Sequence, residues 1–275
     1  MSIATEITAL DTNLNAAKEA VEAKGGTVGD TGLAGLAAEI ATIPSGSTAG
    51  WGSVTYLDAN NEEQSVTIQN EDEYLSLGNS SDVSLSIGGA SFNLKSITKV
   101  ALGLYAGYAP DYFLYNCNKL REITGVNNLL IVGNNFLYGC TTLDCELNFE
   151  RLIMCGASFL YQCTALNHQV SFPELHTIND NNFMRQCTSY SYSITFPATL
   201  TAIRGSYILS RCNNLTSVVC NCSVTPTDTN SLSTNDNTAI MYTTGITLTG
   251  THASDWKTAL PDRDTSPYRK LIVGS

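Results

Sequence analysis

Charge is scarce in this sequence, and positive charge is scarcer still. Of 275 residues 14% are charged, split as 14 Lys and Arg against 25 Asp and Glu, for a formal net charge of −11. A chain this acidic lacks the cationic excess that displaces counterions from phosphate, which excludes nucleic acid as a natural partner and an anionic bilayer as a resting place. No run of about 18 apolar residues occurs, so a membrane-spanning helix is excluded as well. The opening MSIATEITALDTNLN carries no Lys or Arg ahead of an apolar block and no small-residue cleavage site. No secretory signal is read there, and synthesis and retention in a cytosol are expected. The phosphate-loop, His-Glu-x-x-His and Gly-x-Ser-x-Gly patterns are all missing, and with them the chemistries they carry. His stands only at positions 168, 176 and 252, too dispersed to complete a tetrahedral metal set with the cysteines. Neither a metal nor another cofactor is expected. What is present is apolar: 43% of the residues are hydrophobic, enough for a folded core.

Along the chain, Ile3, Ile7, Leu10, Leu14, Ala17 and Val21 follow one another at spacings of 4, 3, 4, 3 and 4. That is a heptad seam, too short to be stable alone, which calls for partner helices or for its own chain. Gly25-Gly26 ends this helix, and a second apolar-periodic stretch, Leu33 to Ile43, stops at Pro44. Residues 1–44 therefore read as a helical anchor or oligomerisation segment, with Ile3, Ile7, Leu10, Leu14 and Val21 as its contact positions. Residues 45–50, small and polar, read as a linker. From Trp51 the pattern alternates: Val54 and Tyr56, a polar loop at 58–63, then Val66 and Ile68 predict a β-hairpin. Tyr74, Leu75 and Leu77, then Val83, Leu85 and Ile87, continue with period two and predict further strands before Gly88-Gly89. Residues 51–89 are taken as a β-hairpin junction.

Near residue 90 the chain begins to repeat itself. Phe113-Leu114-Tyr115-Asn116-Cys117, Phe136-Leu137-Tyr138-Gly139-Cys140 and Phe159-Leu160-Tyr161-Gln162-Cys163 are close copies. Phe183-Met184-Arg185-Gln186-Cys187 and Ile208-Leu209-Ser210-Arg211-Cys212 are decayed ones. The cysteines Cys117, Cys140, Cys163, Cys187 and Cys212 lie 23, 23, 24 and 25 residues apart. Three residues after each stands Leu120, Leu143, Leu166, Tyr190 or Leu215, opening an alternating run, and a second apolar cluster follows about nine residues on. A period of this length with recurrent Leu and a strand in each copy predicts a leucine-rich-repeat solenoid over 90–222. Rungs stacked at about 4.8 Å would bring the five cysteines into one interior column, each a small hydrophobe in a tight inward turn. An odd total of nine Cys at rung spacing argues against a disulfide framework. Residues 223–275 read as a loop followed by a closing cap.

The unit Phe-Leu-Tyr-x-Cys-x-x-Leu resembles the BspA-like leucine-rich repeats of bacterial surface proteins, whose motif runs Ala-Phe-x-x-Cys-x-x-Leu. This sequence departs by placing Phe where that family has Ala, and Leu or Met where it has Phe. The resemblance implies a mainly β solenoid, here preceded by short N-terminal helices and a small β-hairpin region, that serves adhesion and protein binding without chemistry of its own. The segments Leu14–Asp30 and Leu33–Ile40 are similar to the start of tail, fibre and baseplate-associated proteins of bacteriophages. Together the two resemblances imply a structural, non-enzymatic virion protein: a tail fibre, baseplate or receptor-binding component. Its partners would be itself, as a homotrimer, other virion proteins, and a host-surface glycan or protein. The alternatives are a head fibre or capsid decoration protein, or a bacterial surface adhesin.

For contact surfaces, His168, Gln169, Tyr190 and Tyr192 fall on neighbouring strands and are expected to share a face. Tyr115, Tyr138 and Tyr161 recur at intervals of 23 residues. They could line a face and stack on sugars, but the core residues flanking each favour packing between rungs. The loop 228–237, rich in Thr, Asn, Ser and Asp, is a further tip-like surface. The clustered acids Asp58, Glu62, Glu63, Glu71, Asp72 and Glu73 could pair for glycoside cleavage, though acids on a hairpin more often form a solvated face.

Overall fold

Residues 50–226, 245–260 and 271–274 are described in a computed structural model of the chain. They belong to one compact unit, Gly50–Ser275. The contact positions Ile3, Ile7, Leu10, Leu14 and Val21 and the loop 228–237 lie outside the described residues.

Alternation from Gly52 onward produces strands. β1 (Gly52–Leu57) and β2 (Glu63–Thr67) pair antiparallel with Val54 opposite Val66. Their loop is pinned by the Asp58 carboxylate, which accepts from the amides of Asn60 at 2.8 Å and Glu62 at 3.0 Å. The next apolar alternation does not give a strand. Glu71–Leu75 is a short helix, α1, in which Tyr74 is buried. Asn70 caps it by accepting from the Glu73 amide at 2.9 Å, and the Glu73 carboxylate reaches back to the Gln69 amide at 2.7 Å. A capping residue followed by three acids in the first turn outweighs a period-two pattern only three apolar residues long. β3 (Ser84–Ile87) and β4 (Ala90–Asn93) form a second hairpin, turning at Gly88 and Gly89 with φ of 57° and 79°, the paired left-handed conformations such a turn requires.

The stack starts at β5 (Ile97–Leu102), antiparallel to β1 on one side. After β6 (Tyr108–Ala109), β7 (Glu122–Thr124) pairs with the other side of β5 in parallel. Each rung then contributes two short strands rather than the one expected. They are β8 (Ile131–Val132), β9 (Leu147–Asn148), β10 (Met154–Cys155), β11 (Val170–Ser171), β12 (Thr177–Ile178), β13 (Ile194–Phe196), β14 (Ala202–Ile203) and β15 (Ser217–Cys220). The second apolar cluster of each copy is the second strand. β6, β8, β10, β12 and β14 form one all-parallel sheet, with Tyr108, Ile131, Met154, Thr177 and Ala202 in register. β13 and β15 continue in parallel into β16 (Ile246–Thr249) and β17 (Leu271–Val273). A second helix, α2 (Ala253–Ala259), buries Trp256 against Phe196 at a ring separation of 4.9 Å.

The third side of each rung is the turn that carries the repeated motif, and its backbone is unusual. The residues five, three and one before each cysteine all have φ near +60°: Tyr112, Leu114 and Asn116 in one rung, Ser158, Leu160 and Gln162 two rungs on. Of the fifteen such positions only Gly139 is glycine. The left-handed conformation costs a side-chain-bearing residue about 1–2 kcal/mol. Here the alternation directs successive N–H groups up and down the stack. The amides five and one before the cysteine donate to the next rung, as Tyr112 to the Asn134 carbonyl and Asn116 to that of Tyr138, both at 2.7 Å. The amide three before donates to the previous rung, as Leu137 to the Phe113 carbonyl at 2.9 Å. Inside the turn, Phe113, Phe136, Phe159 and Phe183 stack with nearly parallel rings at 5.7, 5.7 and 5.2 Å.

The five repeat cysteines are buried thiols, and each donates to a backbone carbonyl of the rung before it. The distances are 3.5 Å from Cys117 to Leu94, 3.1 Å from Cys140 to Leu114, 3.2 Å from Cys163 to Leu137, 3.1 Å from Cys187 to Leu160 and 2.9 Å from Cys212 to Met184. From Cys140 onward the acceptor is the carbonyl of a left-handed Leu or Met. A small side chain with one weak donor suits this position because the rung before it leaves little volume and one carbonyl lone pair to fill.

Cys163→Ala removes that donor and leaves a void, and is expected to cost about 1–2 kcal/mol in urea unfolding. Cys163→Leu overfills the column and is expected to cost about 1–3 kcal/mol; tolerance of leucine at no cost would show that the column is not space-limited. Of the nine thiols only Cys145 is not buried. Burial pushes the thiol of Cys117 up to about 12 and that of Cys163 further still. A thiol reagent at pH 8 is therefore expected to label Cys145 alone in the folded chain, and all nine after denaturation.

Candidate functional site

In four of the five rungs the turn that buries Phe, Leu and Cys leaves the residue two before the cysteine facing outward, half-buried: Tyr115, Tyr138, Tyr161 and Arg185; in the fifth, Ser210 at that position is buried. Because successive turns are hydrogen-bonded rung to rung, these side chains stand in file. Tyr115 and Tyr138 lie 4.8 Å apart between ring centroids, and Tyr138 and Tyr161 4.7 Å apart, the latter edge to face. Tyr112 meets Tyr115 edge to face at 5.5 Å. The tyrosines do pack between rungs, as their flanking residues predict, but on one another at the surface rather than in the interior.

Cations close both ends of the file. Lys95 lies 5.6 Å from the centre of the Tyr115 ring and donates to the Tyr115 carbonyl. Arg185 lies over Tyr161 at 5.6 Å and over Tyr207 at 4.3 Å, contacts that use the negative ring face. Partial burial, then the neighbouring Tyr161 and Tyr115 hydroxyls, raise the ionisation of Tyr138 above the ordinary tyrosine range. Beside the file stand Asn116, Gln162 and Gln186 before the cysteines and Asn118, Thr141, Thr164 and Thr188 after them, none of them buried. Gln162 donates to the Gln186 side chain at 2.8 Å. The face is thus aromatic, amide-rich and nearly free of aliphatic side chains, and its members are held by backbone bonds before any partner arrives.

The second surface is only partly assembled as expected. His168, Gln169 and Tyr192 are exposed. His168 Nδ1 lies 2.8 Å from Asp144, whose carboxylate also accepts from the Asn167 amide at 2.8 Å. Desolvation pulls the Asp144 carboxyl up, but these two bonds outweigh it and hold the group below its ordinary value. Gln169 donates to the carbonyl of Ser193 at 3.3 Å. Tyr190 is the exception. It is fully buried, and its hydroxyl accepts from the Val170 amide at 3.3 Å. Tyr190 occupies the position three after the cysteine, where Leu120, Leu143, Leu166 and Leu215 all point into the core, so register rather than the polar hydroxyl decides its direction.

Three of the six clustered acids, Asp58, Glu63 and Glu73, are engaged structurally. Asp58 and Glu73 hold backbone amides, as above, and Glu63 accepts from the Thr98 hydroxyl at 2.8 Å and pairs with Arg121. The Thr98 bond, set against desolvation and aided by Arg121 and Lys99, lowers the Glu63 carboxyl. Cys220 and Cys222 are both buried at the end of β15. Among the described residues, no three His, Cys, Asp or Glu gather as a metal would require.

Compared with known families, the chain matches six copies of the BspA type leucine rich repeat region, over residues 85–216 and 155–253. The chain belongs to the BspA-type leucine-rich-repeat family. The repeat motif, the two-strand rung and the outward file all fall inside the matched residues. Among solved structures it is similar to the crystal structure of the leucine rich repeat protein of T. pallidum, with 14% identity over 64% of this chain and 92% of that one and a TM-score of 0.29. No curated protein matches it. BspA-type repeats make an interaction scaffold, and no enzyme family is indicated.

The tyrosines of the scaffold give it an alkaline signature. Burial raises Tyr74 and Tyr190 far above the ordinary range, and Tyr138 less so. The folded chain thus keeps protons that the unfolded chain releases near pH 10, so stability is retained below that pH and falls as pH rises beyond it. Ultraviolet titration is expected to show Tyr74 and Tyr190 ionising only together with loss of the fold; smooth ionisation of every tyrosine near pH 10 without unfolding would contradict their placement.

Proposed function

We propose that this chain is a structural, non-enzymatic component of a bacteriophage particle, a tail fibre, baseplate or receptor-binding protein, that displays its repeat stack to a host-surface glycan or protein. The file of Tyr112, Tyr115, Tyr138 and Tyr161 supports the display reading. Tyrosine offers large amphipathic contact area with few rotatable bonds, and rings already ordered by their neighbours lose little entropy on binding. The resemblance of the N-terminal segment to phage tail and fibre proteins supports the virion reading. In this reading Ile3, Ile7, Leu10, Leu14 and Val21 join three copies through their heptad seam, and the protein resides in the particle, assembled in the host cytoplasm and released by lysis. Membership in a repeat family resembling bacterial surface proteins favours one second reading, a bacterial surface adhesin.

Mass spectrometry of purified particles is expected to find the chain in fixed copy number with the major virion proteins. Its recovery in the bacterial envelope fraction, and its absence from particles, would select the adhesin. Light scattering of the full chain is expected to give a trimer, and of a chain lacking residues 1–44 a monomer. Tyr138→Ala is expected to weaken adsorption to host envelopes about tenfold, as loss of a central aromatic contact does, without lowering the melting temperature by more than a few degrees.

A further inference from the structure

The tyrosine file ends at the fourth rung, where Arg185 takes the outward position. Tyr161 and Tyr207 cover the guanidinium. One terminal nitrogen, Nη1, donates to the Asn182 side chain at 3.0 Å. Nε is shielded from solvent and has no hydrogen-bond partner. Among the described residues the ion pairs are Arg121 with Glu63, His168 with Asp144 and His252 with Asp255, so no carboxylate of the described chain neutralises Arg185. In a chain of net charge −11, Arg185 is thus a cation oriented by rings on two sides and left without an acidic partner. The edge formed by its two terminal nitrogens matches a carboxylate, and rings over its faces reduce the solvation that an incoming anion must displace.

We propose that Arg185 anchors an acidic sugar: its guanidinium takes the carboxylate of a glycan, and the adjoining pyranose rings lie along Tyr161 and Tyr138. This rests on the display reading above and names the ligand class for that face. The neighbours of the file decide for sugar over peptide. Gln162 and Gln186, with Thr164 and Thr188, supply amide and hydroxyl groups for the rim of a pyranose, and tyrosine rings supply a surface for its C–H face. An acidic peptide would look for an aliphatic pocket to receive its remaining side chains, and these positions offer none. The carboxylate could be that of a uronic acid or of a sialic acid, which share the chemistry that Arg185 reads.

The test is isothermal titration of the full chain with a trigalacturonate, with a sialylated trisaccharide, with the methyl ester of each, and with a glutamate hexapeptide. At least one acid is expected to bind, and its ester about tenfold or more weakly, the loss of one charge-assisted pair. Arg185→Gln should lose the acid to the same degree and leave the ester unchanged, and Arg185→Lys should not restore the difference, since an ammonium lacks the fork. The ester comparison needs no variant, so it decides the matter even if Arg185→Gln fails to fold. Equal binding of acid and ester, binding of neither acid at millimolar concentration, or preference for the peptide would overturn the site. Envelope adsorption that survives Arg185→Gln but is lost in Tyr138→Ala would overturn the site while leaving the display reading in place. Particles that lack the chain would instead remove the virion role alone.

Discussion

Everything in the stack depends on one backbone device: peptide groups in the motif turn that stand along the stacking direction and bond to the rungs before and after. Left-handed residues three times per turn make this possible, and most of them carry side chains that disfavour that conformation. An isolated turn would pay strain of about 1–2 kcal/mol per such residue with no inter-rung bond in return. Adjacent rungs supply the bonds, the stacked Phe column and the buried Leu, so the turn exists only as a member of the series. This is the physical content of nearest-neighbour cooperativity in a repeat protein.

The cysteine column follows from the same device. When the backbone amides have been used between rungs, the carbonyl of the left-handed Leu or Met remains close to the rung above, and the thiol reaches it. A larger side chain would collide and an apolar one of equal size would leave the carbonyl less satisfied. The cysteines are thus components of the hydrogen-bond ladder as well as of the core, and their burial makes them chemically quiet. The outward file is the other face of the turn. The alternation that sends Leu114 and Cys117 inward sends Tyr115 outward, and repetition converts one tyrosine into a continuous aromatic surface closed by a cation at each end.

Much of this was legible beforehand. The spacing of Cys117, Cys140 and Cys163 and the Leu three residues later disclosed the rung, and the alternation around Val54 and Val66 disclosed the first hairpin. Tyr74 and Leu75 misled because three apolar residues carry little periodic information, whereas the cap at Asn70 carries a specific bond. Tyr190 misled because its hydroxyl reads as a surface group; the leucines at the same position in four other rungs were the better guide. Arg185 was visible only as a decayed copy of the motif. Its significance needed Tyr207, 22 residues away in sequence and 4.3 Å away in space.

The amino-acid sequence by itself determined the period, the inward residues and the rung order, because these depend on which side chains avoid water and at what interval they recur. Tertiary structure alone decided the sign of φ along the turn, the carbonyl that each thiol meets, and the covering of a guanidinium by rings from two other turns. Those features arise between rungs, where the partners are backbone groups common to every residue and side chains brought together only by stacking, so no local pattern of letters records them.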